Sequence, residues 1–497
     1  MNGFRYLAVG MLALACAGDP GRDPLPALPP PVAATSEPST QDAPDRTTLP
    51  APGPLPAWVL PSPSQVALSS GAPLYFLQQG ATPLVTLLLV LPRGAATDPK
   101  GKAGLTFLTT DMLDEGAGGK NALEFSEALQ RLGTEYAGST DVDHVVLSMN
   151  LIAENFEPSV ALLADIVRRP ALSAKEFARR KDQRLADALT DESEPAHTRA
   201  VVMRKALFGD GYGGTLPEGT HDTLKRLSLA DVKNQYKNLF QPDGAAFVVV
   251  GGIDQGAAKS ALEKHFADWK GASKTKTAPL ATAAPKSAVY FVNHKDASQS
   301  AIALARRAAG QASDEYFPAL IFNRAFGGAF TSRVNMNLRE DKGYTYGARS
   351  VFSRFPEVGM FVIAANVKRE TTRASVDEVL KELAAMCGPR PLTDKERAES
   401  VGGLLLGYPG RFESNNGVAS ELADLPVYGR STSWLSQYPG SVEAVSVASA
   451  NAVGKKYCDD KDFVIVVSGD EKTVLPTLEG LERPVLHFDA RGNQLRK

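Results

Sequence analysis

The sequence predicts an α+β fold of two homologous lobes, each a mainly antiparallel sheet covered by helices. Three observations carry this: an internal repeat, the same order of elements in each half, and a patternless segment between the halves. The repeat is the strongest. Leu74-Tyr75-Phe76-Leu77 returns as Val289-Tyr290-Phe291-Val292, and Leu105 and Phe107 return as Leu320 and Phe322, both at an offset of 215 (290 − 75 and 322 − 107). Phe247–Gly251 answers to Phe463–Val467 at 216 (463 − 247). One such pair is chance, but three at nearly one offset mark a duplication.

Leu84–Leu91 (LVTLLLVL) is a short apolar run bounded by Pro83 and Pro92, which predicts a buried strand. Thr106–Leu113 and Ala122–Leu132 carry apolar residues at helical spacing, the second stopping at Gly133 as a left-handed C-cap would. His144–Leu151 reads as a strand, Phe156–Val167 and Leu229–Leu239 as helices, and Ala246–Gly251 as a strand. Gly271–Pro285 (GASKTKTAPLATAAP) is small, polar and without period, so it reads as a linker. The lobes therefore span about 58–270 and 286–497.

At 497 residues, 43% hydrophobic and 22% charged, the chain has ample apolar surface for more than one core. The net charge is −2 with both signs interspersed, so no basic face points to nucleic acid. Glycine-rich phosphate loops, dinucleotide fingerprints set between a strand and a helix, and Gly-x-Ser-x-Gly elbows are absent, which leaves nucleotide, hydride and serine-hydrolase chemistry without support. The three cysteines match no zinc spacing; Cys387 and Cys458 are either a disulfide or two buried thiols.

Residues 1–16 read as an export signal: a basic start, then Tyr6–Ala15, an apolar stretch too short to span a membrane. Ala13-Leu14-Ala15-Cys16 resembles a bacterial lipobox, which makes Cys16 the expected lipidation site and implies an exported, membrane-tethered, periplasm-facing or outer-surface protein. Residues 17–57 form the expected tether. Fourteen of the 34 prolines fall between Pro20 and Pro63, a composition that favours extended polyproline II over a packed core.

Gly104–Leu113 (GLTFLTTDML), Leu224–Tyr236 and Phe247–Gly251 together resemble lobe one of the insulinase/pitrilysin zinc peptidases. Phe326–Ser350 (FGGAFTSRVNMNLREDKGYTYGARS) resembles their lobe two more closely still. Mitochondrial processing peptidase and the cytochrome bc1 core proteins share the design. Active members carry His-x-x-Glu-His on the first helix of lobe one. Its two imidazoles, one turn apart, grip zinc, and its Glu serves the bound water as general base. Here the metal-motif positions hold Phe107, Thr110 and Asp111, and the distal ligand falls near Asp187–Ala188, where no Glu stands. The closest two of six histidines, His197 and His221, are 24 apart (221 − 197), so none pair on a helix face. The resemblance thus implies no catalytic residue and no bound metal in this chain alone.

In two-chain members of the family, the subunit without zinc supplies an Arg and a Tyr from lobe two to the peptide substrate. The matching residues are Arg339 and Tyr346. A planar guanidinium can hold the carbonyls of an extended peptide, and a phenol can stabilise the oxyanion formed beside zinc. Gly343 is expected to turn the chain sharply between them, with Tyr344 and Tyr346 on opposite faces of a strand; Gly327-Gly328 reads as a flexible joint or, in preference, a helix stop, and His144 as a strand-edge residue without function. The expected partners are a His-x-x-Glu-His subunit carrying the zinc, a peptide or unfolded substrate, and a membrane through lipid. Two other readings compete: a scaffolding lipoprotein in which Arg339 and Tyr346 are relics, and a zinc peptidase with a site built from distant residues.

Overall fold

A computed structural model of the chain describes residues 59–495 except 61, so Cys16, the export signal and the tether lie outside the described residues. Two six-stranded mixed sheets organise the fold. The first contains β1 (Ser64–Ala67), β2 (Pro73–Gln78), β3 (Leu84–Leu91), β4 (Glu135–Thr140), β5 (Val145–Ile152) and β6 (Ala246–Gly251), in the order β1-β2-β6-β3-β5-β4. The second contains β7 (Val289–Asn293), β8 (Gln299–Ala309), β9 (Thr345–Arg354), β10 (Val358–Lys368), β11 (Val464–Gly469) and β12 (Val485–Phe488), in the order β12-β7-β11-β8-β10-β9. Five strands correspond one to one. The sixth does not: β1 runs antiparallel to β2, whereas β12 runs parallel to β7.

Register fixes the repeat more finely than sequence similarity does. Leu89 of β3 lies opposite Phe247, and its equivalent Leu304 of β8 lies opposite Ile465. The true partner of Phe247 is therefore Ile465, at 218 (465 − 247), and not Phe463. A two-residue slip keeps every side chain on its own face, so the apolar pattern cannot reveal it.

The predicted strands Leu84–Leu91 and Ala246–Gly251 are present at those limits, and β5 begins one residue later than the predicted His144. Helices stand at Ala122–Arg131, Phe156–Arg168 and Leu229–Leu239, the first capped by Asn121 and Glu124 bonding each other's backbone N–H. The halves are not independent, however. The helix Pro195–Phe208 leaves the first half to cover β8 and β11, while Asn415–Val427 leaves the second to cover β3 and β6. Val202, Leu207 and Phe208 thus pack with Ala303, Ala305, Val464 and Val466. Val418, Leu422 and Leu425 pack with Leu88, Val90, Val248 and Val250. Each fully buried Val, Leu or Phe is worth about 1.5–3 kcal/mol, so this exchange of helices makes separation of the halves costly. No described helix is long and apolar enough to cross a membrane.

Candidate functional site

The helix bearing the metal-motif positions, Leu105–Asp111, starts at Gly104, whose φ of 93° suits glycine alone. The Asp98 carboxylate supplies the cap, accepting the N–H groups of Gly104, Leu105 and Thr106 at 2.9, 3.1 and 2.8 Å and the Thr106 hydroxyl at 2.6 Å. Burial pushes its carboxyl up to about 7 against the pull of those bonds. The helix is well held.

What it presents is not a metal site. Phe107 offers a ring with no donor atom. Thr110 is buried; its hydroxyl donates to Thr106 O at 3.0 Å and accepts from Thr140 at 3.1 Å, so its proton is committed to its own helix. Asp111 lies 3.3 Å from Arg180, and the Arg184 guanidinium covers the Phe107 ring at 4.6 Å. Both arginines belong to the helix Ala174–Glu192, where the distal ligand belongs. Asp187 stands at that place and is spent on Arg184 at 2.9 Å, while Ala188 is buried in a cluster with Leu105, Leu108 and Met112. Arg180 also reaches Glu115 at 3.3 Å. Burial pushes the Asp111 carboxyl up, Arg180 and Arg184 pull it down, and Glu115 and Asp187 push it up again. Phenyl, hydroxyl and guanidinium groups do not fit zinc, and the one carboxylate of the motif already faces a cation.

The second half offers a different surface. Arg339 sits in a π-helical turn, Met336–Asp341, a distortion often found at functional sites. Its guanidinium lies over the exposed Phe330 ring at 4.7 Å and touches Glu340 at 3.1 Å. Asn337 of the same turn donates to Glu378 and Glu382 at 2.8 and 2.9 Å, anchoring it to the helix Thr372–Cys387. Gly343, at φ 63°, then reverses the chain, and Tyr344 N–H closes on Leu338 O at 2.9 Å. Tyr346, the second residue of the edge strand β9, has 88% of its surface exposed, and its hydroxyl makes no hydrogen bond among the described residues. Arg339 and Tyr346 flank one turn, and no hydrogen bond or ring contact joins them among the described residues.

Tyr344 does point away from Tyr346, packed half-buried on the core, but not by strand alternation, since residues two apart on a strand share a face. It stands before β9 begins, in the turn that Gly343 makes. Gly327 and Gly328 end the π-helical turn Arg324–Gly328, and a Cβ on Gly327 would strike Ser350 of β9. They stop a helix and admit a strand.

Two features escape the sequence. Arg180 and Arg184 lie in a charge-rich stretch with no motif, where the only signal is their spacing of one turn. His144 is more than an edge residue. Its Nδ1 meets Asp143 at 2.6 Å, and although burial lowers its pKa, Asp143, Asp141 and Asp424 raise it above the ordinary value. Asp424 comes from the exchanged helix Asn415–Val427, so His144 sits where the halves meet.

Two family sequence models match: insulinase (peptidase family M16) over residues 76–216 and peptidase M16 inactive domain over residues 226–403. An uncharacterized zinc protease of Mycobacterium leprae is 22% identical over 367 residues, covering 71% of this chain and 79% of its own. A non-peptidase homolog of Helicobacter pylori is 20% identical over 407 residues, covering 80% and 92%. The crystal structure of a peptidase M16 inactive domain from Pseudomonas fluorescens superposes with a TM-score of 0.76 at 23% identity, over 82% of this chain and 98% of that one. With its duplicated six-stranded sheets, matched across both halves and stripped of the His-x-x-Glu-His ligands, this chain belongs to the insulinase (M16) peptidase family, as a member of the non-catalytic kind.

Proposed function

We propose that this chain is the non-catalytic subunit of a two-chain zinc peptidase: it binds an extended peptide through Arg339 and Tyr346 and completes the active site of a His-x-x-Glu-His partner. The carrying observation is the contrast between the two halves. The metal-motif helix is closed by internal ion pairs, whereas Tyr346 is 88% exposed on an ordered edge strand with its hydroxyl uncommitted. Arg339 beside it is held over Phe330, which lowers the entropy cost of engaging a ligand. A phenol presented this way suits an oxyanion that forms on zinc held by another chain.

In this reading the zinc is the partner's, and Cys16 carries a lipid that tethers the pair to the cell envelope. The Cys387–Cys458 disulfide supports export, because such bonds persist in oxidising compartments.

The test is reconstitution of cleavage with the two chains. Peptide hydrolysis should require both, and Tyr346→Phe should lower kcat by about 10²-fold or more, as loss of an oxyanion donor does. Arg339→Ala should raise KM more than it lowers kcat. If a partner cleaves equally well with the doubly substituted chain, the protein is a scaffold and the pair is a relic.

A further inference from the structure

The loss of the metal site goes beyond missing ligands. Arg180 and Arg184 are four residues apart on the helix Ala174–Glu192, so they share a face. That face is turned to the metal-motif helix, and their side chains are only 23% and 16% exposed. Each engages groups at former ligand positions: Arg180 pairs with Asp111 at 3.3 Å, and Arg184 pairs with Asp187 at 2.9 Å while lying on Phe107 at 4.6 Å. Every side chain at a zinc-ligand position that could carry charge is therefore neutralised by a guanidinium.

We propose that Arg180 and Arg184 are a built-in cation pair standing in the place of zinc, which clamps the two helices a metal would join and bars metal even when its ligands are restored. The reasoning is electrostatic. In zinc sites of this donor type, neutral imidazoles and carboxylates converge on a divalent ion. Here the same ground holds two guanidinium groups that cannot be deprotonated. Replacing Asp111 by a neutral His removes one of their counter-charges, so an incoming cation meets occupied ground and a less compensated Arg180 rather than a vacancy. Phe107 completes the exchange, since a flat apolar ring is a good bed for a guanidinium and a useless one for a metal. This inference concerns the first half alone and stands apart from any service to a partner.

The experiment restores the ligands in the full chain with Phe107→His, Thr110→Glu, Asp111→His and Asp187→Glu, alone and combined with Arg180→Gln and Arg184→Gln. Zinc content after gel filtration is measured by mass spectrometry, and folding is followed by circular dichroism. With the arginines intact, zinc should stay substoichiometric; with both replaced, it should approach one per chain. One tightly held zinc with the arginines intact overturns the proposal. So does a folded form that lacks zinc after both arginines are gone. If the ligand-restored chains fail to fold, the natural chain still decides the clamp. Arg180→Gln should lower Tm more in the natural chain than in the Asp111→Asn chain, because the ion pair is present only in the first. Additive losses refute it.

Discussion

Asn335 accepts the N–H of Ala348 on β9 at 3.0 Å while its amide donates to the carbonyl of Phe330 at 2.7 Å. One buried side chain thus ties the loop that carries the Arg339 platform to the strand that carries Tyr346. Asn335→Ala leaves the buried Ala348 N–H without its partner, at a cost of about 1–3 kcal/mol, while the carbonyl of the exposed Phe330 can turn to water. Urea unfolding should show a loss of about 1–3 kcal/mol. An alanine variant as stable as the natural chain would remove Asn335 from this role.

Much of the fold was legible because duplication repeats its own evidence. Strand runs such as Leu84–Leu91 and Phe247–Val250 are apolar on both faces since helices cover both, and the sequence shows that directly. The cover itself was not legible. Pro195–Phe208 has apolar residues on several sides, as a helix buried between layers should, and nothing local says that it lies on the other half's sheet. At the site, the absence of metal ligands at Phe107, Thr110 and Asp111 was plain, because chemistry-bearing residue types are visible one at a time. Their replacement by Arg180 and Arg184 was hidden, because charges on a helix read as a solvated face until tertiary packing turns them inward. Arg339 and Tyr346 were located by resemblance to a motif. The Phe330 bed and the Asn335 bridge, which come from packing, were not.

The acidic side of the arginine cluster carries a pH signature. Burial pushes the Asp114 carboxyl up to about 6, and Glu115 and Asp111 add repulsion that Arg180 partly offsets. An unfolded Asp titrates near about 3.9, so this group stabilises the fold only while protonated. Its contribution is fully present at low pH and is lost as pH rises through about 6. Above that, burying the charged form costs up to about 2–3 kcal/mol, because the carboxyl ionises roughly two pH units later in the fold than in the open chain. Asp114→Asn should therefore raise Tm at pH 7.5, with the gain shrinking as pH falls toward 5. A variant less stable than the natural chain at pH 7.5 would show that Asp114 is paired where it stands.

Cys387, at the end of the helix Thr372–Cys387, is joined to Cys458 with Cα atoms 6.1 Å apart, a separation that suits a disulfide. The bond closes a loop of 71 residues, for which the chain-entropy account gives about 4 kcal/mol. The same helix supplies Glu378 and Glu382, which hold Asn337 in the turn bearing Arg339, so the crosslink also stiffens the support of that residue. Cys387→Ser with Cys458→Ser should lower Tm in oxidising buffer and give a melting curve indifferent to reductant. The natural chain should fall to that curve only when reduced. Peptide mapping without reductant checks the linkage itself, and two free thiols in protein recovered from an oxidising compartment would show that the sulfurs are neighbours without being bonded.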